Sequence, residues 1–159
     1  MEWLEYSTAN CSVQRTLEVI GEKWTMIVLR EVFNGVRRFE QMRRHTGISE
    51  AVLSARLRTL VEAGVLDTVP YREEGRRTRH EYRLTDKGRD LYPILVALLQ
   101  WGDKYCADDD GPALLIEHAG CGAPVEAIVR CTEGHGPLRP DEARTRPGPT
   151  ARPLETTDR

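Results

Sequence analysis

The chain has 159 residues, 40% of them apolar and 30% charged: a length that fits one domain and a composition that excludes disorder throughout. The longest unbroken apolar run, residues 94–99, is far short of the roughly 20 residues a membrane span needs. The formal net charge of -2 hides an uneven distribution, with residues 1–36 carrying net -2, residues 37–89 net +5 and residues 90–159 net -5.

A basic middle between acidic flanks suits a chain in which one surface meets phosphates, although a solvated charged face explains the same excess. Residues 1–6 carry Glu2 and Glu5 and lack the basic and apolar regions of a secretory signal, so a cytoplasmic location is expected. The four cysteines, Cys11, Cys106, Cys121 and Cys131, are widely spaced with no C-x-x-C pair, which points to free thiols or metal ligands in place of a disulfide scaffold.

In chain order, Val13, Leu17 and Ile20 recur at helical spacing, and Ile27, Val28 and Val32 form a second stripe after Gly21, so two helices are predicted over residues 13–20 and 24–33. A short helix over residues 39–45 carries Phe39 and Met42 inward and stops at Gly47. Ser49 is an N-cap for the next helix, in which Leu53, Leu57, Leu60 and Val61 recur at i, i+4, i+7 and i+8 before Gly64 ends it. Residues 65–71 and 79–85, rich in Val, Leu, Thr and Tyr, predict two strands joined by a basic loop. Thr85 to Gly88 open a last long helix with Leu91, Leu95, Leu98, Leu99 and Trp101 on one face, in which Pro93 predicts a kink or a delayed start. Residues 108–136 read as a small lobe, and residues 137–159, with five prolines, are expected to be disordered.

Helix, short helix, glycine turn, longer helix and hairpin is the order of a winged helix-turn-helix, an α+β fold whose second helix enters the DNA major groove. Opposite the core leucines, that helix presents Ala51, Ala55, Arg58 and Thr59, with Ser54 and Arg56 on the flanks and Ser49 and Glu50 at its leading end. Small residues permit close approach to a groove, and each bidentate arginine–guanine pair discriminates by about 1–3 kcal/mol. The competing explanation is a solvent face whose alanines reflect helix propensity. The hairpin loop carries Arg72, Arg76, Arg77 and Arg79, whose mutual repulsion gains nothing for the fold and is most simply explained by an anion. Arg37, Arg38, Arg43 and Arg44, before and on the short helix, are candidate phosphate contacts. His45 and His80 have no matched nucleophile and no glycine-rich phosphate loop occurs, so an enzyme is not expected.

Across about residues 11–105 the chain resembles the HxlR-type family of bacterial winged-helix regulators, in the wider MarR-like group. The residues that carry the resemblance are Cys11, Gly21-Glu22-Lys23-Trp24, Arg38-Phe39, Gly47-Ile48-Ser49, Leu53, Arg56-Leu57, Leu60, Gly64, Glu81-Tyr82-Arg83-Leu84-Thr85, Gly88 and Trp101-Gly102. The resemblance implies a domain over residues 1–107 that forms a homodimer through its terminal helices and binds an inverted-repeat operator, responding to a redox, electrophile or small-molecule signal. A different class of function, a winged-helix protein-interaction module without specific DNA binding, fits the acidic overall balance. Ser12 stands where many members have proline, and the wing over residues 75–80 is longer than usual. The position of Cys11 is a redox-sensor position in several members; a buried, inert cysteine is the plainer alternative, since Asn10 and Ser12 supply no positive charge.

In the C-terminal lobe, His118 and Cys121, then Cys131 and His135, give H-x2-C and C-x3-H, a set able to complete a tetrahedral structural zinc site. A short hairpin of residues 114–118 against 125–131 without metal is the alternative.

Overall fold

The computed structural model describes residues 3–72, 75 and 77–154, with the side chain of Trp3 excepted. Its elements are α1 (Ser12–Ile20), α2 (Lys23–Phe33), α3 (Phe39–Thr46), α4 (Glu50–Glu62), β1 (Leu66–Tyr71), β2 (Arg79–Leu84), α5 (Asp86–Arg89) and α6 (Tyr92–Tyr105). The order is that of the expected winged helix.

The core sits where α2, α3, α4 and the start of β1 converge. Val28, Leu29, Met42, Leu53, Leu57, Leu60, Val65 and Leu66 are each at most 2% exposed. Gly47 takes φ +69 after the last turn of α3, a conformation that costs glycine little, and Gly64 does the same just after α4. At the start of α4 the Ser49 hydroxyl accepts a hydrogen bond from the Val52 N–H at 3.4 Å.

β1 and β2 pair antiparallel in a register that sets Leu66 opposite Leu84 and Tyr71 opposite Arg79. A third segment joins this sheet: Arg38 bridges Glu81, and the Tyr82 N–H donates to the Arg37 carbonyl at 2.8 Å. The wing is thereby tied to the chain just before α3.

Three differences from the sequence reading have physical causes. The single terminal helix is two, α5 and α6, because Pro93 has no N–H to donate and its ring crowds the carbonyl four residues back, so the second helix starts at Tyr92 with the proline in its first turn. In α1 only Ile20 is buried, while Val13 and Leu17 are 67% and 56% exposed. Within the segment expected to be disordered, residues 150–154 meet the N-terminal segment: Tyr6 and Pro153 form an antiparallel bridge, Leu154 N–H donates to the Glu5 carbonyl, and Asn10 Nδ2 donates to the Thr150 carbonyl. These contacts are largely backbone pairing, which apolar content does not report.

The lobe after α6 has two antiparallel bridges, Asp108 to Gly111 and Glu117 to Pro124, and no long strand among the described residues. The Gln100 side chain holds it to α6, donating to the Val125 carbonyl at 3.3 Å and accepting from the Ala127 N–H at 2.9 Å.

Candidate nucleic-acid interface

The hydrophobic pattern of α4 decides what it shows to solvent. Leu53, Leu57 and Leu60 point into the core, and the 100° step per residue then turns Ala51, Ala55 and Arg58 outward. Glu50, Ala51 and Arg58 are exposed, and Ser49 is exposed at the cap. Ser54 and Ala55 are half-buried, with the Thr59 hydroxyl donating to the Ala55 carbonyl at 3.1 Å. The exposed strip is narrow and low at its centre, with one arginine standing from it. Arg56 differs from the sequence reading: it is half-buried, and its Nε is buried with no hydrogen-bond partner among the described residues. Its position on the helix, beside the core leucines, draws it under the surface.

The arginines around α4 are not equivalent. Arg38 is committed to the wing base, its guanidinium 4.3 Å from the centre of the Tyr71 ring and its Nε 3.4 Å from Glu81 Oε1. Arg83 reaches the other Glu81 oxygen at 3.2 Å. The Arg83 hydrogen bond, helped by that of Arg38 and opposed by partial burial, holds the Glu81 carboxyl below its ordinary value of 4.5. Arg43 pairs with Glu40 on the exposed face of α3, at 3.1 and 3.2 Å. Arg37, Arg44, Arg77 and Arg79 have exposed side chains, while Arg76 lies outside the described residues. A concavity of about 500 Å³ opens between the start of α3 and the wing, with Arg38, Arg79 and His80 among its lining. Arg38 stands on the α3 side and Arg79 on the wing side, with Glu40 also in the lining.

Sequence reasoning missed the network that fixes α3 against α2. Glu31 is buried, its side chain 3% exposed, and it accepts from Arg30 at 2.7 and 3.0 Å and pairs with His45 Nδ1 at 2.5 Å. A glutamate on the same face as Val28 and Val32 is the signal that could have found it, because a carboxylate placed toward a core needs partners. His45, a residue without a matched nucleophile in the sequence, thus ties α3 to α2 through Glu31.

Cys11 is the N-cap residue of α1, half-buried, with its N–H donating to the Thr8 carbonyl. The four-ligand zinc site expected from the spacing is not assembled. His118 Nδ1 lies 3.2 Å from Cys121 Sγ and Cys131 Sγ lies 3.2 Å from His135 Nδ1, but no group of three or more His, Cys, Asp or Glu gathers for a metal among the described residues. The reason is local: each pair closes over its own backbone turn, sealed by His118 N–H to Ala123 carbonyl and by Cys131 N–H to His135 carbonyl. The intervening chain instead follows α6 through Gln100.

Against known families, residues 19–110 match the model described as HxlR-like helix-turn-helix. The chain belongs to the HxlR-like helix-turn-helix family. Relatives of this chain are named as HTH-type transcriptional regulators. The HTH-type transcriptional regulator Rv3095 of Mycobacterium tuberculosis is 46% identical over 138 residues, 87% of this chain and 86% of the relative. Such a match leaves at most 21 residues of the 159 outside it, so the likeness runs past the winged helix into the C-terminal lobe. YdeP of Bacillus subtilis, also an HTH-type regulator, is 34% identical over 106 residues, 64% of this chain and 81% of its own. The crystal structure of PA1607, assigned as a transcription factor, superposes with a TM-score of 0.77 at 42% identity, covering 87% of this chain and 95% of that one. The redox regulator HypR in its oxidised form is 32% identical with a TM-score of 0.55, covering 62% of this chain and all of HypR. This HxlR-type chain is therefore a winged-helix transcriptional regulator. Among its described residues no helix is long and apolar enough to cross a membrane.

Proposed function

We propose that the protein binds an inverted-repeat DNA operator as a homodimer, with one α4 per half-site in the major groove and the wing against the flanking backbone. The observation that carries this reading is the outer strip of α4, where small side chains flank a single exposed arginine opposite a fully buried leucine face. Such a strip lets the helix axis come close to base edges while Arg58 reaches a guanine. Dimerisation is supported by a second pattern. Ile94, Leu98, Trp101 and Tyr105 recur at i, i+4, i+7 and i+11 along α6 and are 40–61% exposed, and α1 adds Val13 and Leu17. A continuous apolar stripe left in water is the mark of a surface that a partner covers.

Arg58 and Ser49, Glu50, Ala51, Ser54 and Ala55 on α4 serve base contact and close approach in this reading. Arg37, Arg43, Arg77 and Arg79, with Arg76 beyond the described residues, serve phosphates, Arg38 contributes mainly by bracing the wing, and Arg56 is half-buried on the flank of α4. A signal reaches the dimer by one of the routes suited to its chemistry. Cys11, at the start of the exposed helix α1, is the candidate for an oxidant or electrophile, in line with the chain's overall similarity to HypR, a redox regulator.

The experiment is a binding titration against genomic DNA fragments retained by the protein, repeated across salt. Each phosphate contact contributes about -0.9 to the slope of log affinity against log salt. Arg77→Ala with Arg79→Ala is expected to flatten that slope by about 2 while leaving the preferred sequence unchanged. A slope near zero in the unsubstituted protein would exclude the DNA reading.

A further inference from the structure

Between α2, α6 and the C-terminal lobe lies a cavity of about 430 Å³, within the roughly 300–1,000 Å³ typical of small-molecule sites. Ile27 and Phe33 of α2, Leu95 and Leu99 of α6, and Leu115 and Ile116 of the lobe wall it with apolar surface. Arg30 and Asn34, from the end of α2 and the residue after it, and Glu117 of the lobe add polar groups to its lining. Arg30 gives Nε and Nη2 to Glu31, which leaves Nη1 for an acceptor.

Two features separate this cavity from the surface assigned to a second copy of the chain. Tyr92, Leu95 and Leu99 lie about 120° round α6 from the stripe of Ile94, Leu98, Trp101 and Tyr105, by the 100° step of the helix, so the two faces share only the flank at Leu98. The third wall is built by this chain's own lobe, held in place by the two Gln100 hydrogen bonds to Val125 and Ala127 and by the Val125 N–H bond to the Ile116 carbonyl. A hollow closed by a dedicated segment of the same chain has the form of a ligand site.

Its position also matters for regulation. One face of α2 lines the cavity through Ile27, Arg30 and Phe33, and the opposite face packs Val28, Leu29 and Val32 into the core beneath α4. Arg30 further joins the cavity to Glu31 and His45, and so to α3. We propose that the cavity binds a hydrophobic small molecule of one or two aromatic rings with one hydrogen-bond-accepting or anionic head, and that its occupation is transmitted through α2 to the DNA-facing helices. The transmission half rests on the DNA-binding reading; the binding half does not.

The test uses the full chain and the fluorescent probe 1-anilinonaphthalene-8-sulfonate, which combines fused rings with an anionic head. In the absence of DNA, saturable binding of one probe per chain is expected. Leu115→Glu, a change at an exposed position that leaves the core intact, is expected to weaken it at least tenfold, as is Leu99→Trp, which fills the hollow. Trp101→Ser should keep the affinity within twofold. Absence of saturable binding, or unchanged affinity in Leu115→Glu, overturns the site. Loss in Trp101→Ser with retention in Leu115→Glu also overturns it, because the probe then sits on the stripe meant for a second copy. With the retained genomic DNA, saturating probe is expected to shift operator affinity at least fivefold, and operator to shift probe affinity by the same factor. Equal operator affinity with and without probe overturns the transmission. Failure of the probe-free protein to bind DNA overturns the DNA reading, and transmission with it, while the probe titration still decides the site.

Discussion

Substituting Gly88 by alanine tests how the C-terminal helices are set against the winged helix. Gly88 is buried in α5, and a Cβ there would stand 2.2 Å from the Val65 carbonyl oxygen, 3.2 Å from its carbon and 3.1 Å from Leu84 Cδ2. The oxygen is backbone and already engaged, accepting from Thr85 N–H at 3.1 Å and from the Thr85 hydroxyl at 3.2 Å, so it has no room to yield. Overpacking of this kind costs about 1–3 kcal/mol, and a clash with fixed backbone belongs at the upper end. Alanine returns up to about 1 kcal/mol through its better helix propensity. The net loss is then about 1–2 kcal/mol, or a fall in Tm of about 2–8 °C for a chain of this size. Thermal unfolding followed by circular dichroism measures it. A Tm equal to or above that of the unsubstituted protein would refute the close packing of α5 on the α4–β1 junction.

Two further outcomes follow from the surfaces described. Trp101 is 61% exposed; of the 150–250 Å² a tryptophan can bury, that is about 90–150 Å², worth at most about 2–4 kcal/mol per subunit. Trp101→Ser is therefore expected to weaken dimerisation in sedimentation, by no more than that energy per subunit, and an unaltered dimer would remove α6 from the interface. At the wing base, a Glu81 carboxyl held below 4.5 contributes stability that is present above that pH and lost as the pH falls through its lower folded value. The protection factors of β2 amides, that is, exchange measured relative to the intrinsic rate at each pH, are expected to fall between about pH 5 and pH 3 in the unsubstituted protein and to change less in Glu81→Gln.

The winged helix was legible because its signals are local. Ser49, the leucines at 53, 57 and 60, and Gly64 state the start, the buried face and the stop of α4 within sixteen residues. What was not legible depends on groups distant in sequence. Arg38 reads as a phosphate contact until the fold brings Tyr71 and Glu81 to it, and His45 reads as a surface histidine until Glu31 turns out to lie beneath it. The split at Pro93 was legible as a break but not as two helices, since the outcome depends on the Thr85 cap and the burial of Gly88 that hold α5 on its own. In the lobe, the spacing of His118, Cys121, Cys131 and His135 suggested one site, but spacing says nothing about whether two turns meet. The segment between them is held along α6 by Gln100, a residue with no distinguishing pattern around it. The pairing of residues 150–154 with the N-terminal segment is a backbone interaction, to which a reading based on apolar content is blind.

The most direct test of α4 as the base-reading element is the affinity of Arg58→Ala for its selected genomic operator and for the same DNA scrambled, at one fixed salt concentration. Arg58 is exposed on α4, so its removal should leave the fold intact. The account predicts a loss of about 1–3 kcal/mol on the operator, roughly 5- to 150-fold, with little change on the scrambled duplex. Equal losses on both DNAs, or no loss on either, would contradict it.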